Sequence, residues 1–404
     1  MLRPFLVLIL LAVATSAQAE PPKSISFKKT VLDTKFRSEG VAVADANGDG
    51  KLDVLTGEFW YEAPNWTPHE MQKPGEYKDG LGNYSHVFAC WADDFNGDKK
   101  PDLIVIDFPG EPCYWLENPG AAGGHWKRHT IWHSACNETP VYADLLGTGK
   151  KVLVMAYQPK DKKPDGNEGR MAYFTPAADP NALWDMHPIS VAPETGKPIP
   201  GTQRYAHGLG VGDLNGDGKM DVICTGGWWE QPATTDGKEP WKFHPAPLGD
   251  AAADLFAVDV DGDGKNDVLS TSAHKFGIWW FKQRLGKDGG ESTFTKNDLF
   301  PTLVSETHAA HMVDLDGDGR KDLITGKRWW SHGRSEPGSA WPAKLYWFKV
   351  VKEKDGLLSF TPNLIDDDSG IGTQFEVVDL NGDGLPDIVT SNKKGVRILV
   401  QERK

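Results

Sequence analysis

Short runs of small, β-branched and apolar residues recur along the chain, each interrupted by an acidic, glycine-containing turn. Residues 40–44 (Gly-Val-Ala-Val-Ala) lead into such a turn and residues 54–56 (Val-Leu-Thr) leave it, which is the pattern of two strands joined tip to tip. A third, aromatic run follows, as at Phe59, Trp60 and Tyr61 or at Trp279, Trp280 and Phe281. The fourth segment pairs an aromatic with an apolar residue five positions later: Trp126 with Ile131, Trp184 with Ile189, Phe294 with Leu299, Phe360 with Ile365. The unit occurs seven times, its turns opening at Asp45, Asp94, Asp144, Asp213, Asp259, Asp314 and Asp379, between 46 and 69 residues apart. Seven units of four short strands predict an all-β chain folded as a seven-bladed β-propeller over residues 20–404. The last unit stops after its third strand at residues 396–400, and residues 26–32 carry the missing fourth pattern, Phe27 with Leu32. An N-terminal strand is therefore expected to close the ring and leave no orphan edge. The insertions at residues 158–170 and 328–343, rich in Pro, Gly and charge, read as surface loops.

The turns themselves carry chemistry. Residues 314–322 (DLDGDGRKD) place acids at the first, third, fifth and ninth positions and glycines at the fourth and sixth, a ligand set for one hard cation, with calcium the natural occupant. An EF-hand would need a preceding helix and a Glu at position twelve; here that position is Thr325 and both flanks read as strands. The predicted ligands are Asp45, Asn47, Asp49 and Asp53 in the first unit, and Asp94, Asn96, Asp98 and Asp102 in the second. The fourth and fifth units offer Asp213, Asn215, Asp217, Asp221 and Asp259, Asp261, Asp263, Asp267. Asp314, Asp316, Asp318, Asp322 and Asp379, Asn381, Asp383, Asp387 supply the last two. The third turn has Leu146, Thr148 and Val152 at its third, fifth and ninth positions and is expected to hold no ion. Up to six structural Ca²⁺ ions are thus implied, bracing strand turns.

A formal net charge of -13 argues against nucleic acid as a partner. Six divalent ions would offset about 12 of those charges. Arg3, an apolar run over residues 5–13 and the small-residue site at Ala17 and Ala19 fit a secretory signal over residues 1–19, so the mature chain is expected to be exported, periplasmic or extracellular. No stretch approaches the ~20 apolar residues of a membrane span. In an oxidising compartment Cys90, Cys113, Cys136 and Cys224 allow one or two disulfides, with Cys113 and Cys136 the preferred pair.

In a propeller the first strand of each blade lines the central channel, and alternate residues on it point the same way. Counting back six positions from each turn's first Asp gives Glu39, Phe88, Glu138, His207, Ala253, His308 and Thr373; eight back gives Arg37, His86, Cys136, Tyr205, Ala251, Glu306 and Ile371. Three histidines and three glutamates thereby fall on one ring at the mouth opposite the acidic turns, whereas His311 has the other parity. Imidazole with carboxylate is the ligand set for Zn²⁺ or another divalent transition metal. His207 and His308 are the expected ligands, with His86 third and Glu39 or Glu138 completing the shell. Lys275, His274 or Tyr205 would act as acid or base, and Arg328 would position substrate. Trp228, Trp229, Trp329 and Trp330 are candidates for stacking on sugar rings, with packing between blades the commoner use of tryptophan.

The acidic turns resemble the FG-GAP or VCBS calcium repeats of integrin α-chain propellers and of many exported bacterial proteins. Glu306-Thr-His308, Tyr205-Ala-His207 and the run from Lys327 to Trp330 also look like the propeller domain of aldos-2-ulose dehydratase. The second resemblance implies a metal in the propeller mouth and dehydration of keto-sugars. Two functions follow as expectations: an exported metal-dependent carbohydrate lyase or dehydratase acting on keto-sugars or oxidised glycosides, or a non-catalytic calcium-stabilised propeller that binds glycan or protein at its top face.

Overall fold

The computed structural model describes residues 24–235, 239–286, 291–330 and 332–404. The expected leader at residues 1–19 lies outside them. Seven four-stranded antiparallel sheets follow one another along the chain. Blades 1 to 7 start from the inner strands Ala42–Ala44, Ala89–Asp93, Val141–Ala143, Leu209–Gly212, Phe256–Val258, Ala310–Val313 and Glu376–Val378. The chain is a seven-bladed β-propeller. The only helical element among the described residues is a three-residue 3-10 turn, Gly120–Ala122, and no helix is long and apolar enough to cross a membrane.

Strand Ile25–Asp33 pairs antiparallel with Gly395–Arg403, from Ile25 opposite Arg403 to Asp33 opposite Val396. The first strand of the chain is thus the outermost strand of blade 7. The core is divided among the blade junctions. Ile104 and Trp115 of blade 2 pack with Leu153 and Phe174 of blade 3, and the junction of blades 7 and 1 buries Val389 and Ile398 with Val54 and Tyr61. Burial therefore runs around the ring rather than into one centre. Near the channel the strands approach closely: a Cβ at Gly210 would stand 1.9 Å from the Leu255 carbonyl, and one at Gly372 1.7 Å from that of Glu39. Only glycine fits there.

Blades 1, 2 and 4 share a device on their outer strands. Trp60 stacks on His69, Trp115 on His129 and Trp228 on His244, with centroids 4.1–4.3 Å apart. Each imidazole also meets a Glu two residues beyond its Trp, at 2.7 Å from Glu62 and Glu117 and 2.8 Å from Glu230. In blade 3, Tyr173, His187 and Thr175 occupy the same three places. Trp228, Trp229 and Trp330 are buried, so packing rather than sugar stacking is their use. The four cysteines are buried free thiols, and Cys113 Sγ lies 3.8 Å from Met155 Sδ. The expected Cys113–Cys136 disulfide is absent; the interior site suits a thiol used as a small apolar group.

Candidate metal centre at the propeller mouth

Three histidines from consecutive blades meet where the inner strands begin. His207 precedes the inner strand of blade 4 and His308 that of blade 6, while His274 follows the second strand of blade 5, Asp267–Thr271. Their ring centroids are 4.5 to 5.3 Å apart, and one nitrogen from each lies within 4.8 Å of the others.

Hydrogen bonding fixes which nitrogen is free. His207 Nδ1 is 2.8 Å from the Tyr205 carbonyl and His308 Nδ1 3.3 Å from the Glu306 carbonyl, so each donates from Nδ1 to an acceptor with no proton of its own. His274 Nδ1 is 3.1 Å from Glu336 Oε1. In the neutral ring each Nε2 is then the atom that carries the lone pair. His207 Nε2 and His274 Nε2 nevertheless face each other at 3.0 Å, and His308 Nε2 is buried with no partner. Burial and the neighbouring imidazoles depress the His274 pKa; burial, Arg328 and the other two rings push that of His308 far down. The donor set fits a divalent transition metal, with Nδ1 contacts that orient imidazole ligands.

The hooks on His207 and His308 depend on an unusual backbone. Tyr205 and Glu306 are non-glycine residues at φ 64° and 56°, and this left-handed turn aims each carbonyl back at the imidazole two residues on. Such a conformation costs on the order of 1–3 kcal/mol and concentrates at functional sites.

Beside the histidines is a buried ionic network. Arg328 is 0% exposed and reaches Glu39 Oε2 at 3.1 Å and Glu138 Oε2 at 3.3 Å. Lys393 meets Glu39 Oε1 at 3.2 Å, and Lys327 meets Glu306 Oε2 at 2.9 Å. Glu138 Oε2 also stands 3.4 Å from His207 Nε2. Burial raises the Glu138 carboxyl, but His207 and Arg328 outweigh it and hold its pKa at about 2. An ionised carboxylate thus borders the three imidazoles.

The minus-six column therefore brings His207, His308, Glu39 and Glu138 to one place, joined by Arg328. Glu39 is committed to Arg328 and Lys393, away from the imidazoles. His86 stands apart, its Nδ1 2.7 Å from Asp107 and its side chain 63% exposed. Its place in the triad is taken by His274, expected as acid or base. Arg328 is walled off from any substrate; its surroundings make it a counter-charge for two buried glutamates. Lys275 is exposed and Tyr205 is 42% exposed, its ring 5.7 Å from Phe108. Sequence reasoning missed Glu336, which rides on the 328–343 insertion outside the repeat and whose Oε1 is 2.7 Å from His332 Nδ1. It also missed Tyr84, which lies under Arg328 and Lys393 with ring distances of 5.6 and 4.5 Å.

At the opposite face the acidic turns share one geometry. Asp45 accepts backbone N–H groups from Gly48, Asp49 and Gly50 at 2.8–2.9 Å. The ninth-position Asp53 is buried and accepts from Ala46 at 2.9 Å and Ala63 at 2.8 Å. Asp221 and Asp387 repeat that staple between turn and third strand. Carboxylate oxygens of Asp259, Asp261 and Asp263, and of Asp314, Asp316 and Asp322, lie within 4.8 Å of one another. The third turn keeps the backbone shape, Thr148 and Gly149 donating to Asp144 at 2.9 and 2.8 Å.

No curated protein sequence matches the chain. Among solved structures, an Agrocybe aegerita lectin described for its specific recognition of non-reducing terminal N-acetylglucosamine is 16% identical, with a TM-score of 0.46 over 93% of this chain and 86% of that one. The V. cholerae biofilm matrix protein Bap1 is 17% identical, with a TM-score of 0.32 over 71% of this chain and 41% of that one. Residues 227–325 match the FG-GAP-like repeat family, a span that contains His274, His308 and the turns at Asp259 and Asp314. This chain is a seven-bladed β-propeller in which residues 227–325 match the FG-GAP-like repeat.

Proposed function

We propose that the chain is an exported, metal-dependent carbohydrate lyase that eliminates water from keto-sugars or oxidised glycosides at the propeller mouth, with structural calcium in up to six of the acidic turns. The observation that carries this reading is the convergence of three imidazole lone pairs whose Nδ1 atoms are all tied to acceptors. His207, His274 and His308 would hold the metal, and Glu138 borders the same shell. A divalent transition metal there supplies Lewis acidity toward a sugar carbonyl oxygen and acidifies the adjacent C–H. Tyr205 and Lys275 are exposed and stand two residues before His207 and one after His274 in the chain, and they would serve as acid and base. One takes the C–H proton and the other protonates the departing hydroxyl, so that a C–H and a C–O bond break, a C=C bond forms and water leaves.

The test pairs metal content with turnover. Protein dialysed against calcium alone is expected to retain about one equivalent of transition metal, and a panel of keto-sugars and 3-keto-glycosides is expected to yield the ultraviolet absorbance of an enone. His207→Ala or His308→Ala should abolish both while the thermal midpoint changes by only a few degrees. Stoichiometric metal with no absorbance change on any substrate, and undiminished glycan binding by both variants, would hand the mouth to a binding function.

A further inference from the structure

The three imidazoles are not positioned in the same way. His207 and His308 are each hooked by a carbonyl two residues upstream, within their own strand lead-in. His274 has no such hook. Its Nδ1 partner is Glu336, 62 residues further along the chain, on the insertion between the second and third strands of blade 6. Glu336 Oε1 takes a second hydrogen bond from His332 at 2.7 Å, and the His332 ring stacks on His274 with centroids 4.5 Å apart. One oxygen thereby fixes two rings.

We propose that Glu336 is the positioning residue of the mouth: docking of the 328–343 arm delivers its carboxylate to His274, and this contact turns two preset imidazoles into a three-ligand centre. The proposal rests on the metal reading above. The arm's contacts show how it is held. Arg328 at its root is clasped by Glu39 and Glu138, Ser339 Oγ donates to the Glu306 carboxylate, and Trp341 packs on Phe276 with centroids 4.9 Å apart. Gly338, at φ 82°, lies so close to blade 6 that a Cβ there would stand 2.4 Å from Ser305 Oγ. Phe276 is two residues beyond His274, so the arm grips the same turn it orients. Without Glu336 the His274 Nδ1 loses its acceptor and the ring can exchange tautomers, whereas His207 and His308 keep theirs. Carboxylates that accept from a ligand's other ring nitrogen hold metal affinity up by roughly 10–100-fold.

Titrating the full chain with Co²⁺, followed by its visible absorption, and with Zn²⁺ against a chromophoric chelator tests this without any substrate. Wild type is expected to bind about one equivalent with the absorption of a low-coordinate site. Glu336→Ala should weaken binding by roughly 10–100-fold and alter the Co²⁺ spectrum. Glu336→Gln, which keeps an acceptor oxygen but loses its charge, should fall between. Gly338→Ala changes no ligand and no carboxylate, yet should weaken binding by lifting the arm; thermal melts of each variant certify the fold. Wild type that binds neither ion would sink the metal reading itself. Wild-type binding with an unchanged dissociation constant and spectrum in Glu336→Ala would overturn the positioning role alone, and full affinity in Gly338→Ala would overturn the dependence on arm docking.

Discussion

The two faces of this propeller are built on opposite principles. At one face a single turn is written seven times, and even its degenerate copy at Asp144 keeps the backbone hydrogen bonds from the residues four and five positions on. At the other face almost nothing repeats: blades 4, 5 and 6 supply histidines, blades 6 and 7 supply Arg328 and Lys393, and the segments leading into blades 1 and 3 supply Glu39 and Glu138. Repetition marks what each blade needs in order to fold. Departure from the repeat marks what only the whole ring can assemble.

If the repeated face is braced by calcium, removing the ion should produce the largest effect on the molecule. At a hundredfold excess over its dissociation constant one ion contributes about 2.7 kcal/mol, and up to six turns respond together. EDTA is expected to lower the thermal midpoint by well over ten degrees, with calcium restoring it. An unchanged midpoint would erase the proposed division between the faces.

The mouth should answer to its ionic network instead. Removing Arg328 strands Glu39 and Glu138 in the interior, with only Lys393 left to Glu39. Breaking one member of such a buried cluster costs roughly 3–5 kcal/mol, so Arg328→Ala should unfold at markedly lower urea whether or not calcium is present. A loss below 1 kcal/mol would mean that water reaches the glutamates and that the wall is not dry.

This division also explains what could be read from the sequence. The seven blades were legible because turn, aromatic strand and aromatic-to-apolar spacing recur, and the terminal pairing followed from Phe27 and Leu32 supplying the pattern missing after residue 400. The minus-six column pointed to His207, His308, Glu39 and Glu138 because those residues sit on strand lead-ins at a fixed distance from a turn. His274, His332 and Glu336 sit on connections of irregular length, where no frame relates position to direction. The left-handed backbone at Tyr205 and Glu306 has no sequence signature either, since neither residue is glycine. His86 was misplaced for the converse reason: it was counted in the frame, but the blade 2 lead-in turns it toward Asp107.

Between the faces lies the channel, where a 310 Å³ cavity is lined by Asp254, His311 and Gln374 among apolar neighbours. Asp254 Oδ2 accepts the Ala310 N–H at 2.8 Å, yet burial pushes its carboxyl pKa up to about 7. A folded-state value above the unfolded one makes the contribution to stability complete below about pH 4 and lost as pH rises through about 7. Asp254→Asn keeps an acceptor for Ala310 and removes the titration. Stability measured from pH 4 to 8 should therefore fall by on the order of 2 kcal/mol more in wild type than in the variant, and parallel curves would show the channel to be wet.

The smallest expected effect is the sharpest test of the repeated face. Asp144 and Asp314 open corresponding turns and accept backbone N–H groups, two from Thr148 and Gly149 in one and three from Gly317, Asp318 and Gly319 in the other. They differ in their companions: Leu146, Thr148 and Val152 against Asp316, Asp318 and Asp322. Replacing either by Ala removes partly exposed hydrogen bonds worth roughly 0.5–1 kcal/mol in total, about one or two degrees in a chain of this size. Only at Asp314 would an ion be lost as well. In calcium, Asp314→Ala should therefore melt several degrees below Asp144→Ala, and in EDTA the gap should shrink to about one degree or less, which a single extra hydrogen bond accounts for. A gap of undiminished size after chelation would assign the difference to packing around Leu315, and the acidic turns would then brace the blades through their hydrogen bonds alone.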